Sequence, residues 1–277
     1  QKNQVYLIIA SNDTIKYPKS RYYKIYRIKT PLKNNIINRI RYCINIASIF
    51  KNTISSLESD DILYFRYSDS FPLYFPINYL RRYRKCKLVT EHQTIERSEF
   101  FLTKNVLSYF SDVLFGKLLK SQSDGIIGVT DEITEYELGH LGDFPKPHTI
   151  IGNGIKVNSC PLRENLMTIT EVINFLFVAN VSSWHGIDRL IQGINNFKGK
   201  KTVNLHIVGN GNEIPNLKKI VESLKLSDCV FFHGFKTGDE LDSLFNSCHI
   251  AVGSLGIHRK GLTMTSELKA REYCARS

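Results

Sequence analysis

The sequence predicts an α/β chain of two Rossmann-like domains, residues 1–150 and 151–277, facing one another across a cleft, with the second domain incomplete. Three observations predict it. Short apolar runs alternate with helical patterns throughout, and the alternation is cleanest after residue 175. Between Phe144 and Leu162 the periodicity lapses into Pro145, Pro147, Gly152, Gly154 and Pro161, which marks a domain boundary. The helical stretches between successive strands are long enough for parallel pairing through right-handed crossovers.

In the first half, Val5 to Ala10 reads as an apolar strand, and Tyr22 to Ile28 as a half-exposed one that alternates basic and apolar residues. Asn38 to Phe50 places Ile40, Cys43, Ile44 and Ala47 at helical spacing, and Ile62 to Arg66 is a short strand. Pro72 and Pro76 bracket the aromatic cluster Phe71, Tyr74 and Phe75, which runs into the basic stretch Arg81 to Lys87. Such interleaving can stack nucleic-acid bases, but no repeated platform accompanies it, so a helix with aromatics inward is preferred. Lys87 to Thr90 is a buried strand that delivers Glu91 and His92 at its carboxyl end. Asn105 to Gln122 is an amphipathic helix with Val106, Phe110, Val113, Leu114 and Leu118 on one side. That stripe either covers a sheet, the preferred reading, or lies on a bilayer. Asp124 to Val129 is a strand, followed by a helix capped by Thr130.

In the second half, strands are expected at Phe175–Ala179, Val203–Val208, Cys229–Phe232 and Ile250–Gly253. Helices are expected at Gly186–Ile194, Ile214–Leu224 and Glu240–Ser247, with a last one opening near Ser266.

Charge is unevenly spread. Residues 1–127 hold 21 Lys and Arg against 10 Asp and Glu, which accounts for the whole formal excess of +11. A basic half suits an anionic lipid surface, a nucleic acid or a phosphorylated substrate. The six cysteines are scattered and lack the spacing of a zinc site or redox couple, so reduced thiols in a cytosolic protein are expected. No apolar run approaches the roughly 20 residues that span a bilayer.

The candidate chemistry gathers at strand ends. Gly209 and Gly211 follow a strand and let backbone approach a phosphate or sugar, although the third glycine of the dinucleotide fingerprint is absent. Asn180, Ser182, Trp184, His185 and Gly186 form a polar loop that opens a helix and offers donors to a phosphate. In SELKAREYCARS, Ser266 can cap a helix whose first amides point outward, and Glu272 lies on the face of Leu268 and Lys269.

Five blocks then carry a resemblance: FLFVANVSSWHGIDRLIQGI from Phe175, LHIVGNGNEIPNLKKIV from Leu205, VFFHGF from Val230, AVGSLGIHRKGL from Ala251 and SELKAREYCAR from Ser266. In that order they resemble the retaining GT-B glycosyltransferases of the family 4, or group 1, type, in particular the bacterial surface-polysaccharide members. KLVTEHQTIE, DGIIGVTDEITEYE and the IIGNGI linker resemble the family's first domain more loosely. The resemblance implies transfer of a sugar from a nucleotide-diphosphate donor to a polysaccharide or lipid-linked acceptor, with retention, and no metal or other cofactor. It assigns Glu272 to the donor ribose, the amides of Ser266, Glu267, Leu268 and Lys269 to the diphosphate, and Gly209 to the nucleotide. Gly234 and Phe235 border the base, and His92 contacts the transferred sugar as the catalytic candidate.

The sequence also departs from the family pattern. Met264 stands where the first glutamate of the family's pair is expected, and Asn180 and His185 replace an Arg and a Lys. The diphosphate is therefore left to Lys269, Arg259 or Lys260. The glycine-rich acceptor loop is not visible near residue 10, and the chain is read as truncated after Arg276. The expectation is a cytoplasmic enzyme, peripheral at the inner face of an anionic membrane through its basic half, and not a nucleic-acid binder. The alternative is an inactive remnant that binds nucleotide sugar or a partner.

Overall fold

The computed structural model describes residues 5–10, 23–28, 36–67, 77–142, 146–163 and 168–276. The Phe71–Phe75 aromatic cluster and the loop after residue 10 lie outside them. The chain divides into two compact units. Unit 1 comprises residues 1–91, 105–126 and 143–147, and unit 2 comprises 92–104, 127–142 and 148–277. The division is discontinuous, whereas the sequence reading set a single boundary at residue 150.

Strand β1 (Val5–Ala10) pairs in parallel with β2 (Tyr23–Ile28). Helix α1 runs from Ile36 to Ser56, a turn and a half beyond its expected end. Its expected inner stripe is corrected: Ile40 and Ile44 are exposed, and Ile46 and Ile54 are buried instead. Ile54 joins Leu63, Phe65 and Tyr67 of β3 (Ile62–Arg66) and its following residue, Leu80 of α2 (Ile77–Tyr83) and Leu88 of β4 (Lys87–His92) in the core of unit 1. β3 is buried at every second residue, as a strand with one covered face requires. A four-stranded sheet runs in the order β3-β4-β5-β6, with β5 at Gly125–Gly128 and β6 at His148–Ile150. β6 lies within the Phe144–Leu162 stretch, which lacks helical periodicity and was read as a domain boundary.

Between β4 and β5 the chain forms α3 (Glu96–Leu102), then a continuous helical run. The run consists of α4 (Val106–Ser111), a five-residue π segment Asp112–Gly116 and α5 (Lys117–Lys120). The expected core stripe is overturned here, because Val106, Phe110, Val113, Leu114 and Leu118 are all exposed. Helix α6 (Asp131–Leu141) is capped as expected, with the Thr130 hydroxyl accepting from the Ile133 amide at 3.3 Å.

The second sheet, in unit 2, has the order β10-β7-β8-β9, all parallel: β7 Val172–Val178, β8 Thr202–Val208, β9 Val230–Gly234 and β10 Ile250–Ala251. α7 (Ile187–Asn196), α8 (Ile214–Ser223), α9 (Asp239–Ser247) and α10 (Leu268–Arg276) follow the strands in turn. Phe177, Leu205 and Ile207 on one face meet Ile187, Ile191, Leu217 and Val221 of α7 and α8 in a fully buried cluster. The opposite face packs Leu176 and Val208 against Phe245 and Tyr273. β10 is only two residues long, so it leaves the amide of Val178 unpaired in the ladder. The Tyr273 hydroxyl accepts that amide at 3.0 Å and pins α10 to the end of β7. Burial raises the Tyr273 phenol well above its ordinary pKa, which keeps it neutral in that role.

Candidate functional site

The loop after β7 turns within a few residues because its parts hold one another. The Ser182 amide donates to His185 Nδ1 at 2.9 Å, closing a capping box around the short 3-10 turn Ser183–His185. Gly186 follows at φ +67°, and a Cβ there would sit 2.6 Å from the Gly256 nitrogen. Only glycine lets these two loops touch. The second loop carries a 3-10 turn, Ile257–Lys260, and leads into α10.

Together with residues 93 and 94, which follow β4, these loops enclose a cavity of about 280 Å³ within unit 2. Thr94, Trp184, His185, Lys260, Glu267 and Lys269 supply most of its chemistry. Lys269, in the first turn of α10, donates to Ser254 Oγ at 2.9 Å and pairs with Glu267 at 3.2 Å. The same Glu267 oxygen accepts the Ser254 amide at 3.2 Å. Burial lowers the Lys269 pKa, and the Glu267 carboxylate opposes that shift. Lys260 lies 4.2 Å over the Trp184 ring, with Glu99 at 2.7 Å and Thr94 Oγ1 at 3.3 Å. Two partly desolvated ammonium groups and the start of a nine-residue helix thus share one small space.

His185 adds a neutral donor. Burial first, and then the positive charge of Lys269, push its pKa down to about 4. Because Nδ1 accepts from a backbone amide, the single ring proton resides on Nε2. Native His185 therefore binds fewer protons than it does in the unfolded chain between about pH 6.5 and 4, and the stability it contributes is lost as pH falls through that window. In urea titrations between pH 7 and 4.5, wild type should lose stability more steeply than His185→Gln, by up to ~1.4 kcal/mol per pH unit. Equal slopes would contradict the buried neutral ring.

The structure sorts the residues singled out in the sequence. His185, Glu267, Leu268 and Lys269 line the cavity together, and Lys260 completes the pair of cations. Arg259 does not, because Asp188 takes it in a bidentate pair at 3.0 and 2.6 Å and the Ser183 carbonyl accepts a third bond. Gly209 and Gly211 lie off the cavity wall at φ +115° and +153°, and a Cβ on either would strike the carbonyl oxygens of Ala179 and Val181. Their lack of a side chain serves the packing of two strand-end loops. The Gly234 carbonyl accepts the Gly209 amide at 2.7 Å, while Phe235 and Asn180 are exposed and away from the cavity.

Ser266 precedes the residue before α10. Its hydroxyl accepts the Asn153 amide at 2.8 Å and a bond from Arg271 at 3.1 Å, so it ties the IIGNGI linker to the helix. Glu272 Oε1 accepts from Arg276 Nε at 2.9 Å, and Glu272 is not a cavity residue. His92 has no exposed surface; its Nδ1 is 3.2 Å from Glu96 and 3.6 Å from Glu137, and its successors Gln93 and Thr94 reach the cavity instead. Those two were missed, although the strand-end rule that singled out His92 reaches them as well.

Residues 163–256 match the family described as glycosyl transferases group 1. An uncharacterized glycosyltransferase of Methanocaldococcus jannaschii, MJ1069, is 25% identical over 206 residues, covering 71% of this chain and 50% of the relative. The chain thus spans half the length of the curated relative it matches. Among solved structures, Anabaena HepE in complex with UDP and glucose superposes with a TM-score of 0.54 at 13% identity, over 82% of this chain and 59% of that one. WaaG, a glycosyltransferase involved in lipopolysaccharide biosynthesis, superposes with a TM-score of 0.53 at 12% identity, over 94% of this chain and 73% of that one. The two parallel four-stranded sheets are those of the GT-B Rossmann-like domains. Among the described residues no helix is long and apolar enough to cross a membrane.

Proposed function

We propose that the chain carries the donor half of a retaining glycosyltransferase that moves a sugar from a nucleotide diphosphate to a polysaccharide or lipid-linked acceptor. The observation that supports this reading is the convergence of Lys269, Lys260 and the Nε2 proton of His185 on one cavity, which His185 lines from within the segment that matches the group 1 family and the two lysines from just beyond it. As the glycosidic bond breaks, negative charge grows on the diphosphate. Fixed ammonium groups, themselves partly desolvated, and N–H donors stabilise that charge more than they stabilise the intact donor. Glu267 and Ser254 hold the Lys269 ammonium in place, so little reorganisation is needed when the charge develops. The first amides of α10 supply further donors. Glu272 is proposed to accept the ribose hydroxyls through Oε2, because Oε1 is held by Arg276. His92 is proposed to act on the transferred sugar, Gly209 and Gly211 to border the nucleotide, and Gly234 and Phe235 its base. The acceptor is proposed to be presented at an anionic membrane on the cytoplasmic side.

Titration with UDP- and GDP-sugars by calorimetry, alongside an assay for released nucleotide diphosphate, tests the reading. A donor is expected to bind with a dissociation constant between about 1 μM and 1 mM and to be turned over. Absence of binding at millimolar concentration would refute it. A second reading, a nucleotide-sugar binder that performs no transfer, is favoured by Met264. This residue occupies the place of the family's first glutamate, and its amide is held by Glu132 at 3.0 Å. Binding without release of nucleotide diphosphate, in the presence of acceptor, would select that reading.

A further inference from the structure

Arg259 and Lys260 are neighbours that face opposite ways. Lys260 lines the cavity, and Arg259 turns into Asp188 instead. Its two terminal nitrogens meet the two Asp188 oxygens at 3.0 and 2.6 Å, and the Ser183 carbonyl accepts a further bond at 2.6 Å. A planar fork bonded at both prongs leaves the backbone that carries it little freedom. Arg259 and Ser183 are the residues immediately before Lys260 and Trp184, whose ammonium lies 4.2 Å from the ring centroid. The bonded pair and the stacked pair are therefore in register along the two loops.

The sheet gives the Lys260 loop little hold. Beyond the two residues of β10, the Val252 amide donates to the Leu176 carbonyl at 2.8 Å, and the chain then leaves β7. The turn Ile257–Lys260 has glycine on either side, Gly256 and Gly261, the second at φ +72°. Glycine flanks let so short a turn swivel. Glu99 Oε2, 2.7 Å from the Lys260 ammonium, draws that ammonium toward α3, and Thr94 Oγ1 at 3.3 Å pulls beside it. An ammonium on a flexible four-carbon stem follows its strongest partner unless the backbone beneath it is fixed.

We propose that Arg259, Asp188 and the Ser183 carbonyl form a clasp that positions Lys260, holding its ammonium over Trp184 against the pull of Glu99. Arg259 and Asp188 are positioning residues, and Lys260 alone of the three side chains meets the diphosphate. Its role toward a diphosphate rests on the donor reading above, while its placement over Trp184 stands without that reading.

Trp184 is the single tryptophan of the chain, so its emission reports the charge above its ring. Lys260→Met should shift that emission. Arg259→Met should shift it in the same direction and to a similar extent, with no further shift in Arg259→Met/Lys260→Met. Asp188→Ala, which removes the acceptor and keeps every cation, should do the same, and it decides the question alone if Arg259→Met does not fold. Calorimetry with UDP and with GDP then measures affinity. Each single methionine variant should weaken the nucleotide that wild type binds by about fivefold or more, and the double variant by no more than about twofold beyond the weaker single one. Additive losses would overturn the proposal, because Arg259 would then touch the diphosphate itself. Wild-type emission in the clasp variants would overturn it too, because Lys260 would keep its place unaided. If wild type binds neither nucleotide, the donor reading falls, and the emission of the same variants still decides the clasp.

Discussion

Gly209→Ala will unfold unit 2 at a far lower urea concentration than wild type, before any question of ligand arises. The residue sits at φ +115°, and an added Cβ would run into the Ala179 carbonyl oxygen, which is backbone and cannot swing aside. Left-handed strain costs about 1–3 kcal/mol and overpacking against a fixed backbone about as much again. The sum, roughly 3–5 kcal/mol, is a large share of the 5–15 kcal/mol typical of a whole domain. Gly238→Ala provides the contrast: it also has a positive φ, +55°, but nothing lies within 4 Å of its would-be Cβ. That change should cost only about 1–2 kcal/mol. Trp184, the single tryptophan of the chain, lies in unit 2 and reports both transitions by fluorescence. The sequence reading gave Gly209 to the nucleotide, and the same experiment separates the two roles. A stable alanine variant that merely binds donor weakly would favour the ligand role, and an unfolded one the packing role.

Of the side chains proposed to hold the donor, Lys269 is expected to contribute most. A charge-assisted hydrogen bond to phosphate contributes about 1.5–3 kcal/mol, so Lys269→Met should weaken nucleotide-sugar binding by about 10- to 150-fold. The single change also strands the Glu267 carboxylate, which is only 13% exposed, and that costs stability on its own account. Lys269→Met/Glu267→Gln removes both charges together. It should melt near wild type and still bind donor at least about tenfold more weakly. Full affinity in the double variant would show that the cavity cation does not touch the donor.

The strand and helix pattern of residues 172–251 was legible because each strand is an apolar run and each helix repeats at 3.6 residues, with glycines at the turns. The helical run from Val106 was legible as amphipathic, but periodicity says which residues share a face and not which face is covered. Asp112 and Lys120 settle that by bonding to Tyr67, more than 40 residues away in sequence. Two adjacent cations, Arg259 and Lys260, could not be told apart in the sequence either. Asp188 claims the first from 71 residues away, and only the second reaches the cavity. Ser266 looks like a helix cap in sequence because serine commonly is one, yet its hydroxyl is taken by Asn153, 113 residues away. In each of these cases the local pattern named the right segment, and a long-range partner decided its use.

A crystal structure of the full chain grown with UDP shows whether the start of α10 and Lys269 grip a nucleotide diphosphate. Diphosphate oxygens are expected about 2.7–3.2 Å from Lys269 Nζ and from the first amides of α10, with Glu272 turned to the ribose. UDP bound elsewhere on the molecule, with the Lys269–Glu267 cavity holding only water, would contradict it.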